Sequence, residues 1–133
     1  MTFREKSALA TALTLSLVYG LYAWRAWGAG LTRAEAIPGM VGVVLAQAIV
    51  VVVAHIALAI HRRPERPDER DQAAALHGLR NAYYVLLTGA VGVLWLSLCD
   101  TPGLTVAHAM LASVVLAEIV RHASQVLFYR WGY

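Results

Sequence analysis

Residues 38–61, with the sequence PGMVGVVLAQAIVVVVAHIALAIH, contain no aspartate, glutamate, lysine or arginine over 24 positions. As an α-helix this stretch would be about 36 Å long, which exceeds the roughly 30 Å hydrocarbon core of a bilayer. Apolar and polar residues do not alternate along it, so it is not the strand of a closed barrel. The stretch is therefore predicted to be a transmembrane helix.

Three further apolar runs accompany this one. Hydrophobic residues make up 59% of the 133 positions and charged residues 14%, whereas a soluble domain carries about 25% charged residues. The chain is therefore predicted to be an all-α, polytopic membrane protein: a single domain, residues 1–133, folded as a four-transmembrane-helix bundle. The predicted spans are Ser7–Trp27, Pro38–His61, Arg80–Cys99 and Leu104–Phe128.

Glycine and proline mark the breaks between the spans. Gly28-Ala29-Gly30 and Pro38-Gly39 are predicted to bracket the first loop, and Pro64 and Pro67 lie in the second. The segment Asp100–Gly103 is a short turn that predicts an antiparallel hairpin of spans three and four. A cleaved signal peptide is the alternative for span one, but the run is long and ends in interfacial aromatic residues, which favours a retained span.

Basic residues predict the orientation, because they collect on the cytoplasmic side of a membrane. The second loop, the N-terminus and the C-terminal end together hold nine of them: Arg4, Lys6, Arg62, Arg63, Arg66, Arg70, Arg80, Arg121 and Arg130. The other side has two, Arg25 and Arg33. Both chain ends and the second loop are therefore predicted to be cytoplasmic (N-in, C-in).

The third helix is predicted to begin before its span, near Asp68. Pro67 precedes a run with three carboxylates, which the positive end of a helix dipole favours. This part of the helix would project about 18 Å into the cytoplasm. Its charged residues form a candidate partner-binding or cation-binding surface, and a solvated helix start with local ion pairs is the simpler interpretation. The residues are Asp68, Glu69, Arg70, Asp71 and Arg80.

Span four carries the ionisable residues at membrane depth. Glu118 and His122 are four residues apart, Gln125 lies one turn further, and Arg121 is three residues from Glu118, so the four share one side of a helix. Charges inside a span are costly and often functional, which makes this stripe a candidate ion, proton or ligand site. A structural Glu118–Arg121 pair in the cytoplasmic third of the span is the competing interpretation.

His55 in span two lies at a depth similar to that of Glu118 and His122. These three residues have the chemistry of a zinc or iron site, and His55 with His122 could ligate a haem. His108 at the far end has no facing histidine, and nothing in the spacing requires a metal. Neither a cofactor nor a metal is therefore predicted. No hydrolase, metalloprotease or P-loop motif is present, so no catalytic residue is assigned.

A shift of 63 residues aligns span two with span four and places His55 on Glu118. This weak similarity predicts a 2+2 duplication with an axis along the membrane normal. Small residues recur every fourth position at Ala8, Ala12, Ser16 and Gly20, which permits close helix approach within one bundle or between copies.

Three motifs resemble those of a known family. They are Asp68-Glu69-Arg70-Asp71, Gly78-x-Arg80-x-Ala82-Tyr83-Tyr84, and Ala117-Glu118-Ile119-Val120-Arg121 with Ser124-Gln125 and Tyr129-Arg130. Together they resemble a group of small bacterial inner-membrane proteins with four predicted spans and no assigned activity. Members are often encoded beside small helix-turn-helix regulators. The resemblance implies a location in the bacterial inner membrane and a regulated role, and it supplies no catalytic residues.

Three functional classes follow. The favoured one is a non-catalytic membrane protein that binds a partner or senses the bilayer, with lipid, a homo-oligomer or another membrane protein as partner and no nucleic acid. The second is a small dimeric proton-coupled transporter that uses Glu118 as its coupling carboxylate. The third is a haem- or metal-binding membrane protein that uses His55 and His122.

Overall fold

The computed structural model of the chain consists of four long helices and describes residues 3–30, 32–61 and 68–132. The helices are α1 (Phe3–Ala29), α2 (Arg33–His61), α3 (Glu69–Leu98) and α4 (Gly103–Trp131), and no strand occurs within these ranges. Each helix is long and apolar enough to cross a membrane. The predicted all-α, four-helix architecture is confirmed. The predicted loop residues Arg62, Arg63, Pro64, Arg66 and Pro67 lie outside the described ranges.

The start of α2 differs from the prediction. Pro38-Gly39 was expected to close the first loop, but α2 begins at Arg33 and contains Pro38. The carboxylate of Glu35 accepts hydrogen bonds from the backbone N–H of Thr32 at 3.0 Å and from its hydroxyl at 2.7 Å. These bonds satisfy a donor at the helix start, so the helix nucleates ahead of the proline. The first loop is consequently shorter than predicted.

The α3–α4 hairpin has a defined start and turn. Asp68 caps α3: its carboxylate accepts from Asp71 N–H at 2.8 Å, and the Asp71 carboxylate accepts from Asp68 N–H at 3.3 Å. The observed start of α3 coincides with the predicted one. At the turn Asp100 is left-handed, with φ +52°, and Thr101 N–H reaches the carbonyl of Leu96 at 3.4 Å. This closes the end of α3 in the manner of a Schellman cap.

The helices α1, α4 and α3 pack side by side, with α4 in the middle. Ser113 and Ser124 of α4 meet Gly89 and Asn81 of α3, whereas His108 and Arg130 of α4 meet Tyr22 and Glu5 of α1. Helical geometry places these two sets on roughly opposite sides of α4. The remaining helix, α2, packs on α1.

The predicted 2+2 duplication has no counterpart in this packing. A two-fold axis would relate α1 to α3 and α2 to α4, so an α1–α4 interface would require an equivalent α2–α3 interface. Within the described residues α1 packs along α4, but α2 and α3 form no comparable interface. The duplication therefore remains a prediction about the sequence.

The start of α1 and the end of α4 lie at one end of the bundle, which we call the polar end and define by Glu5, Asp71, Tyr129 and Arg130. Arg130 Nε lies 3.3 Å from Glu5 Oε1, and the hydroxyl of Tyr129 donates to Asp71 at 2.6 Å. Much of the surface along the helices is apolar, and large side chains such as Leu17 and Ile49 are exposed. Such a surface suits acyl chains rather than water.

Candidate functional site

A charged cluster lies on α4 and consists of Glu118, Arg121 and His122. Arg121 Nη1 is 3.5 Å from Glu118 Oε2, and His122 Nε2 is 3.7 Å from the same oxygen. Both distances exceed the 2.7–3.2 Å of a typical N–H···O hydrogen bond. Glu118 is therefore held mainly by charge attraction to Arg121, and its oxygens keep capacity to accept hydrogen bonds.

The cluster lies on a side of α4 that neighbouring helices cover only in part. Glu118 is roughly a third of a turn away from the residues of α4 that contact Asn81 and Gly89 of α3 and from those that contact α1. The side chains of Glu118 and Arg121 are accordingly 42% and 41% exposed, and that of His122 is 19% exposed. Gln125, one turn further, is partly buried against Gly78 of α3.

The cluster lies near the middle of its helix. The sequence predicts that it lies in the cytoplasmic third of a span ending at Phe128, which stays a prediction, and the helix itself runs from Gly103 to Trp131. Glu118 is therefore about 20 Å from each end of α4 at 1.5 Å per residue. At this depth a charge that is neither paired nor hydrated is unfavourable by several kcal/mol (roughly 3 kcal/mol on insertion scales).

Close approach of α3 fixes the backbone beside the cluster. A Cβ atom added at Gly78 would lie 2.5 Å from the carbonyl oxygen of Arg121 and 2.9 Å from Gln125 Cγ. A glycine at this position thus allows the two backbones to touch. Closer to the α3–α4 turn, Asn81 donates to Ser124 Oγ at 3.0 Å, and further along Gly89 packs on Ser113.

Most of the predicted partner surface on α3 is engaged inside the protein. Asp68 and Asp71 form the helix cap, Arg70 donates to the carbonyl of Tyr129 at 2.7 Å, and Asp71 also accepts from the hydroxyl of Tyr129. Glu69 and Arg80 are exposed. Within the described part of the chain, three of the five residues are thus engaged by the helix cap and by Tyr129, and not by the local Asp/Glu–Arg ion pairs of the simpler interpretation.

The predicted convergence of His55 with Glu118 and His122 stays untested, because the side chain of His55 lies outside the described part of the chain. Its helix packs on α1 rather than along α4. In the portion of the chain that the structure describes, no three His, Cys, Asp or Glu side chains come together as a metal site would require.

Sequence reasoning missed two interhelical contacts. The hydroxyl of Tyr22 lies 3.1 Å from His108 Nε2, and His108 Nδ1 donates to the carbonyl of Leu104 at 2.8 Å. Because a carbonyl only accepts, Nδ1 carries the proton, and in the neutral ring Nε2 accepts from Tyr22. In the α1–α2 interface, the buried amide of Gln47 donates to Thr14 Oγ1 at 3.5 Å. No local sequence signal pairs residues so far apart along the chain.

No protein-family model matches this chain, and no curated protein or solved structure is detectably similar to it. The geometry of the cluster on α4 is therefore the basis for a functional proposal.

Proposed function

We propose that this protein is a non-catalytic, multi-pass protein of the bacterial inner membrane that acts by binding another membrane protein. The observation that carries the proposal is the half-exposed Glu118–Arg121 pair at the middle of α4. A mid-helix charge facing only acyl chains is unfavourable, whereas a partner helix would supply polar contacts to it. The open edge of α4 is thus the surface that we assign to binding.

The proposed location and orientation rest on the sequence. The motifs around Asp68, Arg80 and Glu118 resemble those of small bacterial inner-membrane proteins. Without Arg121, which lies inside α4, eight basic residues against two still favour the N-in, C-in orientation. The polar end, where α1 and α3 begin and α4 ends, then faces the cytoplasm.

A photo-crosslinking amino acid placed on either edge of α4 tests this function. Val114 lies on the same edge as Glu118 and is 42% exposed, while Leu116 lies on the opposite edge and is 54% exposed. We expect a crosslinked protein adduct in native membranes from position 114 and only lipid adducts from position 116. Equal protein adducts from both positions, or none from position 114, would contradict the proposal.

The second candidate function is dimeric, proton-coupled transport with Glu118 as the proton carrier. It is supported by the exposure of this carboxylate, whose side chain is 42% exposed and makes only long contacts, 3.5 Å to Arg121 and 3.7 Å to His122. In proteoliposomes with an imposed pH gradient, transport predicts that Glu118→Gln abolishes substrate-driven proton release while the protein stays folded. Unchanged proton release in the variant would exclude this mechanism.

A further inference from the structure

The side of α3 that faces away from α4 carries three exposed hydrogen-bond donors. Gly78 contacts α4, and helical geometry turns Arg80, two residues later, to the opposite side of α3. Tyr83 and Tyr84 lie one turn further along the helix, on either side of Arg80, and both are exposed. Because helical side chains tilt toward the N-terminus of their helix, both phenol rings lean toward the level of Arg80.

These donors are not used among the described residues. There Arg80 has no carboxylate partner, the hydroxyls of Tyr83 and Tyr84 make no hydrogen bond, and the two rings contact each other edge to face, with centroids 5.8 Å apart. The nearest described acidic residue on this side of α3 is Glu69, about 17 Å away along the helix axis. One positive charge and two hydroxyls are therefore available to an anionic group from outside the chain.

The position of Arg80 along α3 matches the level of phospholipid headgroups. Residues 81–99 contain no aspartate, glutamate, lysine or arginine, and the next charged residue is Asp100. At 1.5 Å per residue, Arg80 and Asp100 are about 30 Å apart, which equals the roughly 30 Å thickness of the hydrocarbon core. With Asp100 at one boundary of this core, Arg80 lies at the other, where its long side chain reaches the phosphates and tyrosine rings are favoured.

The chemistry of the three donors fits a phospholipid. A guanidinium donates to two oxygens of one phosphate at once, and tyrosine hydroxyls can donate to the same group. Further along the same side of α3, an apolar path for acyl chains is formed by exposed Leu87, Val91 and Leu94. An anionic headgroup is favoured over a zwitterionic one, because the cation of a zwitterionic headgroup competes with Arg80 for the phosphate.

We propose that Arg80, Tyr83 and Tyr84 bind the phosphate of an anionic phospholipid, whose acyl chains lie along the same side of α3. The bound lipid holds α3 at one depth, since Arg80 stays at the level of the headgroups. This site lies on a different helix from the Glu118 cluster and does not depend on the proposed function.

Native mass spectrometry of the purified protein in a neutral detergent tests this proposal with phosphatidylglycerol and phosphatidylcholine of identical acyl chains. We expect the protein to bind phosphatidylglycerol more tightly, and Arg80→Gln to weaken that binding about fivefold, the effect of one basic residue near an anionic surface. Arg80→Lys should keep most of the preference for phosphatidylglycerol, because it keeps the charge. Inorganic phosphate, which has no acyl chains, should not displace the lipid.

The matched control is Lys6→Gln. Lys6 is exposed at the same end of the molecule, but Leu9 and Ala10 stand where Arg80 has its two tyrosines. The control variant loses the same charge and should bind phosphatidylglycerol as the unmodified protein does.

A photo-crosslinker at Leu87, two turns from Arg80 on the same side of α3, separates lipid from protein as the occupant. We expect lipid adducts from this position in native membranes, whereas a protein adduct would show that a partner helix covers this side and would overturn the proposal. Four results of the lipid titration would also overturn it. They are equal affinities for the two lipids, unchanged binding in Arg80→Gln, an equal loss in Lys6→Gln, and displacement of the lipid by inorganic phosphate.

Discussion

At the scale of single residues, Gly78 is the position where α3 and α4 tolerate the least change. A Cβ there would lie 2.5 Å from a backbone oxygen, which no side-chain rotation relieves. We expect Gly78→Ala to lower the free energy of unfolding by about 1–2 kcal/mol, because overpacking outweighs the gain in helix propensity. The control is Gly92→Ala on the same helix, where an added Cβ meets nothing within 4 Å.

Reversible unfolding in mixed detergent, followed by circular dichroism, measures both variants. Gly92→Ala should be neutral or stabilising by up to about 1 kcal/mol. If Gly78→Ala is as stable as Gly92→Ala, the close approach of α3 and α4 at this position is wrong.

Asp100 is the other residue under local constraint, since its φ of +52° lies in the left-handed region. Aspartate adopts this conformation less easily than glycine, which has no Cβ. We expect Asp100→Gly to stabilise the hairpin by about 0.5–1 kcal/mol and Asp100→Val to destabilise it, both measured as shifts of thermal midpoint in detergent. A stabilising Asp100→Val would show that the turn adopts another conformation.

At the scale of helices, the sequence predicts the structure correctly wherever residues close together in the chain determine it. The cap at Asp68 and the apolar lengths of the four runs are local, and both appear in the structure. The start of α2 is also determined by nearby residues, but the prediction of a break at Pro38 is wrong. Thr32 and Glu35 have the spacing of a capping box, which starts the helix ahead of the proline. A proline near the start of a helix removes one hydrogen bond without ending it when the preceding turn is already capped.

Hydrogen bonds of Tyr129 join the start of α3 to the end of α4. Tyr129 donates to Asp71 at 2.6 Å, and its carbonyl accepts from Arg70 at 2.7 Å, which ties the two helix ends together. We expect Tyr129→Phe to cost about 1–2 kcal/mol in stability and to speed amide hydrogen exchange in the first turns of α3. Tyr84→Phe, on the exposed side of α3, serves as the control. Equal exchange in both variants would contradict the role of this bond.

At the scale of the whole molecule, the exposure of the cluster on α4 could not be predicted from the sequence, because it depends on how the helices pack. The stripe Glu118, Arg121, His122 and Gln125 follows from helical periodicity alone. The exposure of Glu118 and Arg121 does not follow from periodicity, because it depends on which sides of α4 contact α1 and α3. The packing of α4 on α1 brings Tyr22 to His108, and its packing on α3 brings Tyr129 to Asp71.

The orientation of the whole bundle is testable with the chain's single cysteine. Cys99 is exposed beside the α3–α4 turn, at the end of the bundle away from the polar end. In the bacterial inner membrane that we propose for this protein, the N-in, C-in orientation would place it on the periplasmic side, because basic residues favour the cytoplasm. We therefore expect a membrane-impermeant maleimide to label Cys99 in cells whose outer membrane alone is permeabilised. The matched control carries Cys99→Ser together with Gln72→Cys, an exposed position near the start of α3. That variant should react only after the inner membrane is opened, and the reverse pattern would invert the orientation and place the polar end outside the cell.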